Sequence, residues 1–350
     1  MPEAFSEDLQ HSASGRPTLW EREKQMTKIT QQLTLIGMML PIATVGAWEI
    51  DPYFSLDPAS PSLQPDDLTP DDVLISGPAV QKHGRDLGLS DNFLAGEFDT
   101  LNALSFGRDP IKAPLYFSVD RVAVGEQGTA VYEQAQPGVE EASGDVFVSN
   151  LNQDNGLNID EQELGLLPGF FGDDLDALDL DPNLPKLPNF PNSRYYFSID
   201  QLSETNNYGT GTVTSDILWS DGDGEFFTYF DLEALGFDPT SDLDALILWD
   251  WDLGESPNAD DFALFSLSSF SPDTYTHSGQ PYAAGVLGQM SPSDILWTDF
   301  QDWGLWVSAG DLGLRSDDEL NALDTIPEPM TLSLFGAGLF GLWGVLRRRA

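Results

Sequence analysis

Cysteine is missing from this 350-residue chain, and histidine is scarce at three residues. Without cysteine there are no disulfide staples and no thiolate metal sites, so packing or bound ions must hold the fold. Basic side chains are few as well: 15 against 58 acidic ones, for a formal net charge of −43. That balance excludes a surface that tracks nucleic-acid phosphates, which needs Lys and Arg in patches. It favours solubility outside the cell and attraction to cations. His83 (loop 81–85) and His277 (loop 275–279) have no second His or Cys nearby in sequence, so both read as exposed loop residues. Neither has a Ser or Cys nucleophile in a recognisable elbow, which leaves triad chemistry without a foothold. With no catalytic constellation and no firm cofactor motif, the chain reads as a non-enzyme. Hydrophobic residues reach 41%, enough for a core despite the charge.

What is present is a repeat. Four short signals occur in order between Tyr196 and Leu246: Tyr196-Phe197-Ser198-Ile199-Asp200, Ser215-Asp216-Ile217-Leu218-Trp219-Ser220, Leu235-Gly236-Phe237 and Leu243-Asp244-Ala245-Leu246. The aromatic signal recurs from Tyr53, Tyr116 and Leu264, and the second from Asp72, Asp145 and Asp294. The third recurs at Leu87-Gly88-Leu89, Leu164-Gly165-Leu166 and Leu312-Gly313-Leu314. The fourth recurs from Leu101, Leu175 and Leu320, stepping by 74, 68 and 77 residues from copy to copy.

Each signal is a short run of β-branched and aromatic residues bounded by turn formers, which reads as strand. Tyr-Phe-Ser-Ile-Asp alternates like a half-buried strand, and Ile-Leu-Trp is continuous like a strand covered on both faces. One such unit cannot bury its apolar face alone, so the copies must cover one another. The expected fold is all-β: four tandem repeats of about 75 residues forming a four-bladed β-propeller. Two β-sandwich domains of two copies each are the alternative.

Two acidic stretches invite an ion. Asn152 to Glu163 places oxygen ligands at alternate positions with a terminal Glu, as in a Ca²⁺ loop, but its Gly comes one place early. Ser220 to Glu225 occupies the aligned place in the next copy, and both compositions suit a tight hairpin turn. The turn reading comes first. Asp221, Asp223, Glu225, Asp154 and Asp160 remain the Ca²⁺ candidates. The polar position inside the fourth signal is Asn102, Asp176, Asp244 and Asn321. In a propeller these four could ring the central channel and bind a cation, but a solvent-facing side of the strand is the preferred reading. Trp219, Trp249, Trp251, Trp297, Trp303 and Trp306 could contact sugars, although core packing is the commoner use.

The termini carry targeting. Met26-Thr27-Lys28, an apolar run over 33–45 and small residues up to Ala47 form a secretory signal peptide cut after Ala47, with Met26 as the true start. Residues 1–47 are therefore extension and signal, 48–324 the repeat domain and 325–350 a second signal. In that last segment Pro327-Glu328-Pro329 precedes 17 uncharged residues, 330–346, and then Arg347, Arg348 and Arg349. As a helix the run rises about 26 Å, a short membrane span, with the arginines held in the cytoplasm.

This tail resembles the PEP-CTERM sorting signal of Gram-negative bacteria. The resemblance covers about the last 25 residues. It implies that an exosortase recognises Pro327, Glu328 and Pro329, cuts nearby and releases or re-anchors the protein, with Arg347 to Arg349 as the cytoplasmic stop. It also implies an inner-membrane-tethered precursor that moves to the cell surface or beyond, in a setting of exopolysaccharide and biofilm. The expected function is that of a surface or matrix protein whose acidic repeats bind or scaffold, with Ca²⁺ assisting and exopolysaccharide as a partner. A carbohydrate-active or lectin-like module and a protein-binding adhesin are the alternatives. Between the two signals, residues 48–326 hold eight basic and 52 acidic side chains, a net charge of −44.

Overall fold

The computed structural model describes residues 52–63, 68–92, 97–106, 114–181, 194–207, 214–250, 253–274 and 290–325, all within the compact unit Ile50–Ala350. Ala47, His277, Trp251 and residues 326–350 of the C-terminal signal lie outside them. Among the described residues no helix is long and apolar enough to cross a membrane.

The chain forms β1 (Tyr53–Leu56), β2 (Val73–Ile75) and β3 (Ala79–Lys82), then a small hairpin, β4 (Asp91–Asn92) and β5 (Glu97–Phe98). The second sheet holds β6 (Leu101–Ser105), β7 (Leu115–Val119), β8 (Val146–Ser149) and β9 (Gly156–Ile159). The third holds β10 (Leu175–Asp181), β11 (Arg194–Ile199), β12 (Asp216–Ser220) and β13 (Phe227–Asp231). The fourth holds β14 (Leu243–Trp249), β15 (Phe262–Leu267), β16 (Ile295–Thr298) and β17 (Trp303–Val307). The last strand, β18 (Leu320–Asp324), pairs antiparallel with β1 and completes the first sheet. Four antiparallel four-stranded sheets form a four-bladed β-propeller. The sequence repeat is thus offset by one strand from the structural blade. Each Leu-x-Ala-Leu signal is the inner strand of the blade that follows it, and the last copy returns to close the ring.

The inner strands β6, β10, β14 and β18 pack side by side around the axis. Every blade shares one apolar core with each neighbour, so its three inner strands are covered on both faces, while the outer strand is more exposed. Tyr196 joins the core between the third and fourth blades, while Tyr195 and Phe197 join the core between the second and third. The half-buried reading of the aromatic signal is therefore corrected: Tyr196, Phe197 and even Ser198 are fully buried. Removing a ring such as Phe197 would cost about 3–5 kcal/mol.

The third signal is corrected too. Leu-Gly-Leu is not a strand but the end of a short helix. Gly88, Gly165, Gly236 and Gly313 cap these helices in the left-handed region, with φ at +88° for Gly165. A residue with a Cβ is strained there, and the flanking leucines clamp the turn from both sides. The outer strands β3, β9, β13 and β17 lie between the second and third signals and share no residue pattern.

Candidate functional site

The polar residue of each Leu-x-Ala-Leu strand breaks the register. Leu101 faces Val119 and Ala103 faces Ser118, which leaves Asn102 as the extra residue of a β-bulge. Asp176 and Asp244 are skipped in the same way, and so is Asn321 opposite the Ser55/Leu56 step. A bulged residue leaves the ladder and its side chain is re-aimed. These four side chains converge near the axis and are 5–8% exposed, so the solvent-facing reading of Asn102, Asp176, Asp244 and Asn321 is overturned. Simple strand alternation fails because of the bulge.

Two of the four positions are satisfied. Asn321 Nδ2 donates to Asn102 Oδ1 (3.2 Å), and Asn102 Nδ2 donates to Asp174 Oδ1 (3.3 Å). The other two are not: Asp176 Oδ2 and Asp244 Oδ2 are buried without a hydrogen-bond partner, as is Asp242 Oδ1. Carboxylate oxygens of Asp176, Asp200 and Asp242 lie within 4.8 Å of one another. They arrive from three places: the bulge of β10, the end of β11 and the residue that leads into β14.

More acids surround them. The residues before the inner strands are Thr100, Asp174, Asp242 and Glu319, and their carbonyls accept the N–H groups of Asp120, Asp200, Ser268 and Asp57. This pairing brings the start of each inner strand against the end of the neighbouring second strand. Burial, and then Glu319, pushes Asp57 up to about 6, and burial does the same to Asp120. Burial followed by the charges of Asp242, Asp244 and Asp200 holds Asp176 well above the usual carboxylate range. Asp242 and Asp244 are raised for the same reason, burial first and neighbouring acids second. Among the described residues one basic side chain meets the cluster. Arg121 Nε lies 3.2 Å from Asp174 Oδ2, and Nη2 lies 3.8 Å from Asp200 Oδ1. It serves that edge and leaves Asp176, Asp242 and Asp244 without an ion pair among the described residues.

Farther along the inner strands the carboxylates are structural. Asp179 accepts from Ser105 Oγ (3.0 Å) and from the Leu248 N–H (3.0 Å), tying three blades together. Asp324 accepts from the Phe106 N–H. Asp173, just ahead of β10, binds Thr205 and the Leu167 N–H, and Asp250, just past β14, binds the Tyr196 hydroxyl and the Leu253 N–H. Acids adjacent in sequence therefore divide into anchored ones and unpartnered ones. The unpartnered set where the inner strands begin is what a hard divalent cation needs: oxygen donors from several segments, partly dehydrated and short of counter-charge.

The sequence candidates lie elsewhere. Asp221, Asp223 and Glu225 sit in the β12–β13 turn, where Ser220 Oγ donates to the Glu225 carbonyl (2.7 Å). Asp223 and Glu225 are exposed, while Asp221 pairs with Arg194 Nε at 3.4 Å. Ser149 Oγ closes the equivalent turn on the Asp154 carbonyl (2.6 Å). Asp154 and Asp160 stand at opposite ends of β9, and Asp160 caps the short helix that follows. His83 is largely exposed, with Nδ1 3.0 Å from Asp72 Oδ1. Trp219 is buried, and Trp249, Trp297, Trp303 and Trp306 pack against the cores, in keeping with structural roles. Ala47, Pro327, Glu328, Pro329, Arg347, Arg348 and Arg349 fall outside the described residues. The sequence candidates do not include Asp200, Asp242 or Glu319. An acid just after the aromatic signal or just before Leu-x-Ala-Leu recurs from copy to copy, and that recurrence is the clue to them.

No family model matches the chain, and neither a curated protein nor a solved structure does.

Proposed function

We propose that this protein is an exported cell-surface or matrix scaffold whose propeller carries Ca²⁺ at the mouth of its central channel. One observation carries the reading: Asp176 and Asp242, from different blades, each keep a buried oxygen without a partner, and carboxylate oxygens of both lie within 4.8 Å of one another and of Asp200. Leaving buried carboxylates uncompensated costs several kcal/mol per charge, and a cation held between them removes that cost. Calcium suits the site because it tolerates irregular oxygen cages with many ligands, whereas Mg²⁺ requires a small octahedron and keeps its water. A cation bound there cross-links blades three and four. The rest of the acidic surface remains free to bind matrix components, exopolysaccharide among them. In this reading the scaffold reaches the surface as an exosortase substrate through Pro327, Glu328 and Pro329, and it performs no catalysis.

The test is calorimetric titration of the EGTA-stripped protein with Ca²⁺, beside an Asp176→Asn/Asp242→Asn variant. The variant should lose one bound ion per chain. Equal stoichiometry in both proteins would remove the axial site.

A further inference from the structure

Each blade passes from its outer strand into a short helix, and in blades 2 and 4 the first residue of that helix backs onto the aspartate at the start of the third strand. In blade 4 the Ala309 N–H donates to Asp294 Oδ1 (2.8 Å). Blade 2 repeats this bond between the Glu161 N–H and Asp145 Oδ1 (2.9 Å). The bond uses only the backbone of the helix residue, which is Ala309 in blade 4; the helices of blades 1 and 3 begin with Gly84 and Leu232, and the Leu232 N–H donates instead to the Ser215 carbonyl (3.4 Å). No acid is needed there for folding. Blade 2 nevertheless sets Glu161, 1% exposed, against Asp145, 0% exposed. Both Glu161 oxygens and Asp145 Oδ2 are buried without a hydrogen-bond partner. Asp160, half-buried at the helix N-cap, completes a set whose carboxylate oxygens lie within 4.8 Å of one another. No ion pair among the described residues reaches any of the three.

Blade 1 supplies an internal comparison. Where blade 2 has Gly144 and Glu161, blade 1 has Asp71 and Gly84. A Cβ on Gly84 would meet Asp71 Oδ2 at 1.7 Å, and a Cβ on Gly144 would meet the Glu161 Cβ at 2.7 Å. One small space therefore holds a carboxylate in both blades, supplied from the strand in one and from the helix in the other. In blade 1 the N-cap is His83, whose ring nitrogen faces Asp72. In blade 2 the N-cap is a third carboxylate.

We propose that Asp145, Asp160 and Glu161 form a second calcium site, off the axis in blade 2. Two buried carboxylates can be neutralised by a shared proton alone. The third acid, on the more open side, goes beyond what a shared proton needs and leaves room for water to complete the shell. An all-oxygen set favours Ca²⁺ over the softer transition metals. The bound ion fastens the short helix to the start of β8. This site uses none of the axial residues, so it stands or falls separately from the axial reading.

The test is Ca²⁺ titration by calorimetry on the full chain and its Glu161→Ala variant, which copies the residue of blade 4. Glu161→Gln serves as the check should the alanine variant fold poorly, with circular dichroism reporting the fold. Each Glu161 variant should bind one ion fewer than wild type and keep the axial ion. In the Asp176→Asn/Asp242→Asn background, Glu161→Ala should remove the last bound ion. An unchanged stoichiometry in both Glu161 variants overturns the site and leaves a pair that shares a proton.

Discussion

The Ser198 hydroxyl donates to the main-chain oxygen of Leu243, 2.6 Å away in the next blade. The same bond joins Ser55 to Leu101 (2.7 Å), Ser118 to Leu175 (3.0 Å) and Ser266 to Leu320 (3.4 Å). All four serines are buried at the middle of the aromatic signal, so each blade is fastened to its neighbour by one equivalent hydroxyl. A Ser198→Ala change should cost about 1 kcal/mol, or roughly 2–4 °C in melting temperature for a domain of this size. Scanning calorimetry of the four single variants checks this, with Ser266→Ala, at the longest bond, as the mildest.

Closure of the ring rests on β18. Its Leu320 and Leu323 are buried, and it alone pairs with the free edge of β1. Ending the chain after Asp318 should open the first sheet and expose its core. Limited proteolysis should then digest the truncated domain far faster than the intact one. Equal resistance would show that the first blade holds together with three strands.

Asp71 sets a pH dependence. It is fully buried with neither oxygen hydrogen-bonded, and burial raises it from 3.8 to about 7. Between about pH 4 and pH 7 the folded protein keeps a proton that the unfolded chain has released. Asp71's contribution to stability is therefore lost as pH rises through that window. Asp71→Asn should flatten this part of the profile and raise the melting temperature at neutral pH relative to wild type. Parallel pH profiles for the two proteins would contradict it.

Much of this architecture can be read from the sequence, because repetition marks what every blade needs. Ser198 and its equivalents, the Leu-x-Ala-Leu strands and the capping glycines all recur. The purpose of each is less visible. Leu-Gly-Leu looks like a strand because the helix it ends spans only four residues, too few to show a helical period. The outer strands share no pattern, since each meets different surroundings. The site was hidden by the bulge: alternation turns Asp176 toward solvent, and only the skipped register of β10 turns it to the axis. Glu161 is visible only once the helices of the four blades are superimposed.

The sorting reading has its own test. Deleting Pro327 to Pro329 should block C-terminal processing, and replacing Arg347, Arg348 and Arg349 by Glu should leave the protein poorly retained or mis-oriented. Mass spectrometry of the mature C-terminus decides the first point. An unchanged terminus in the deletion variant would contradict recognition by an exosortase.

The axial ion is tested most directly by thermal unfolding in the Glu161→Ala background, which leaves one proposed site. A ligand that binds only the folded state adds about 2.7 kcal/mol at a hundredfold excess over its Kd, whereas monovalent salt only screens charge. Millimolar Ca²⁺ should raise the melting temperature well above the values in Mg²⁺ or NaCl at matched ionic strength. Adding Asp176→Asn/Asp242→Asn should abolish that difference. Coincident melting curves in all three salts, or an equal calcium increment with and without the two aspartates, would contradict a calcium-bearing axis.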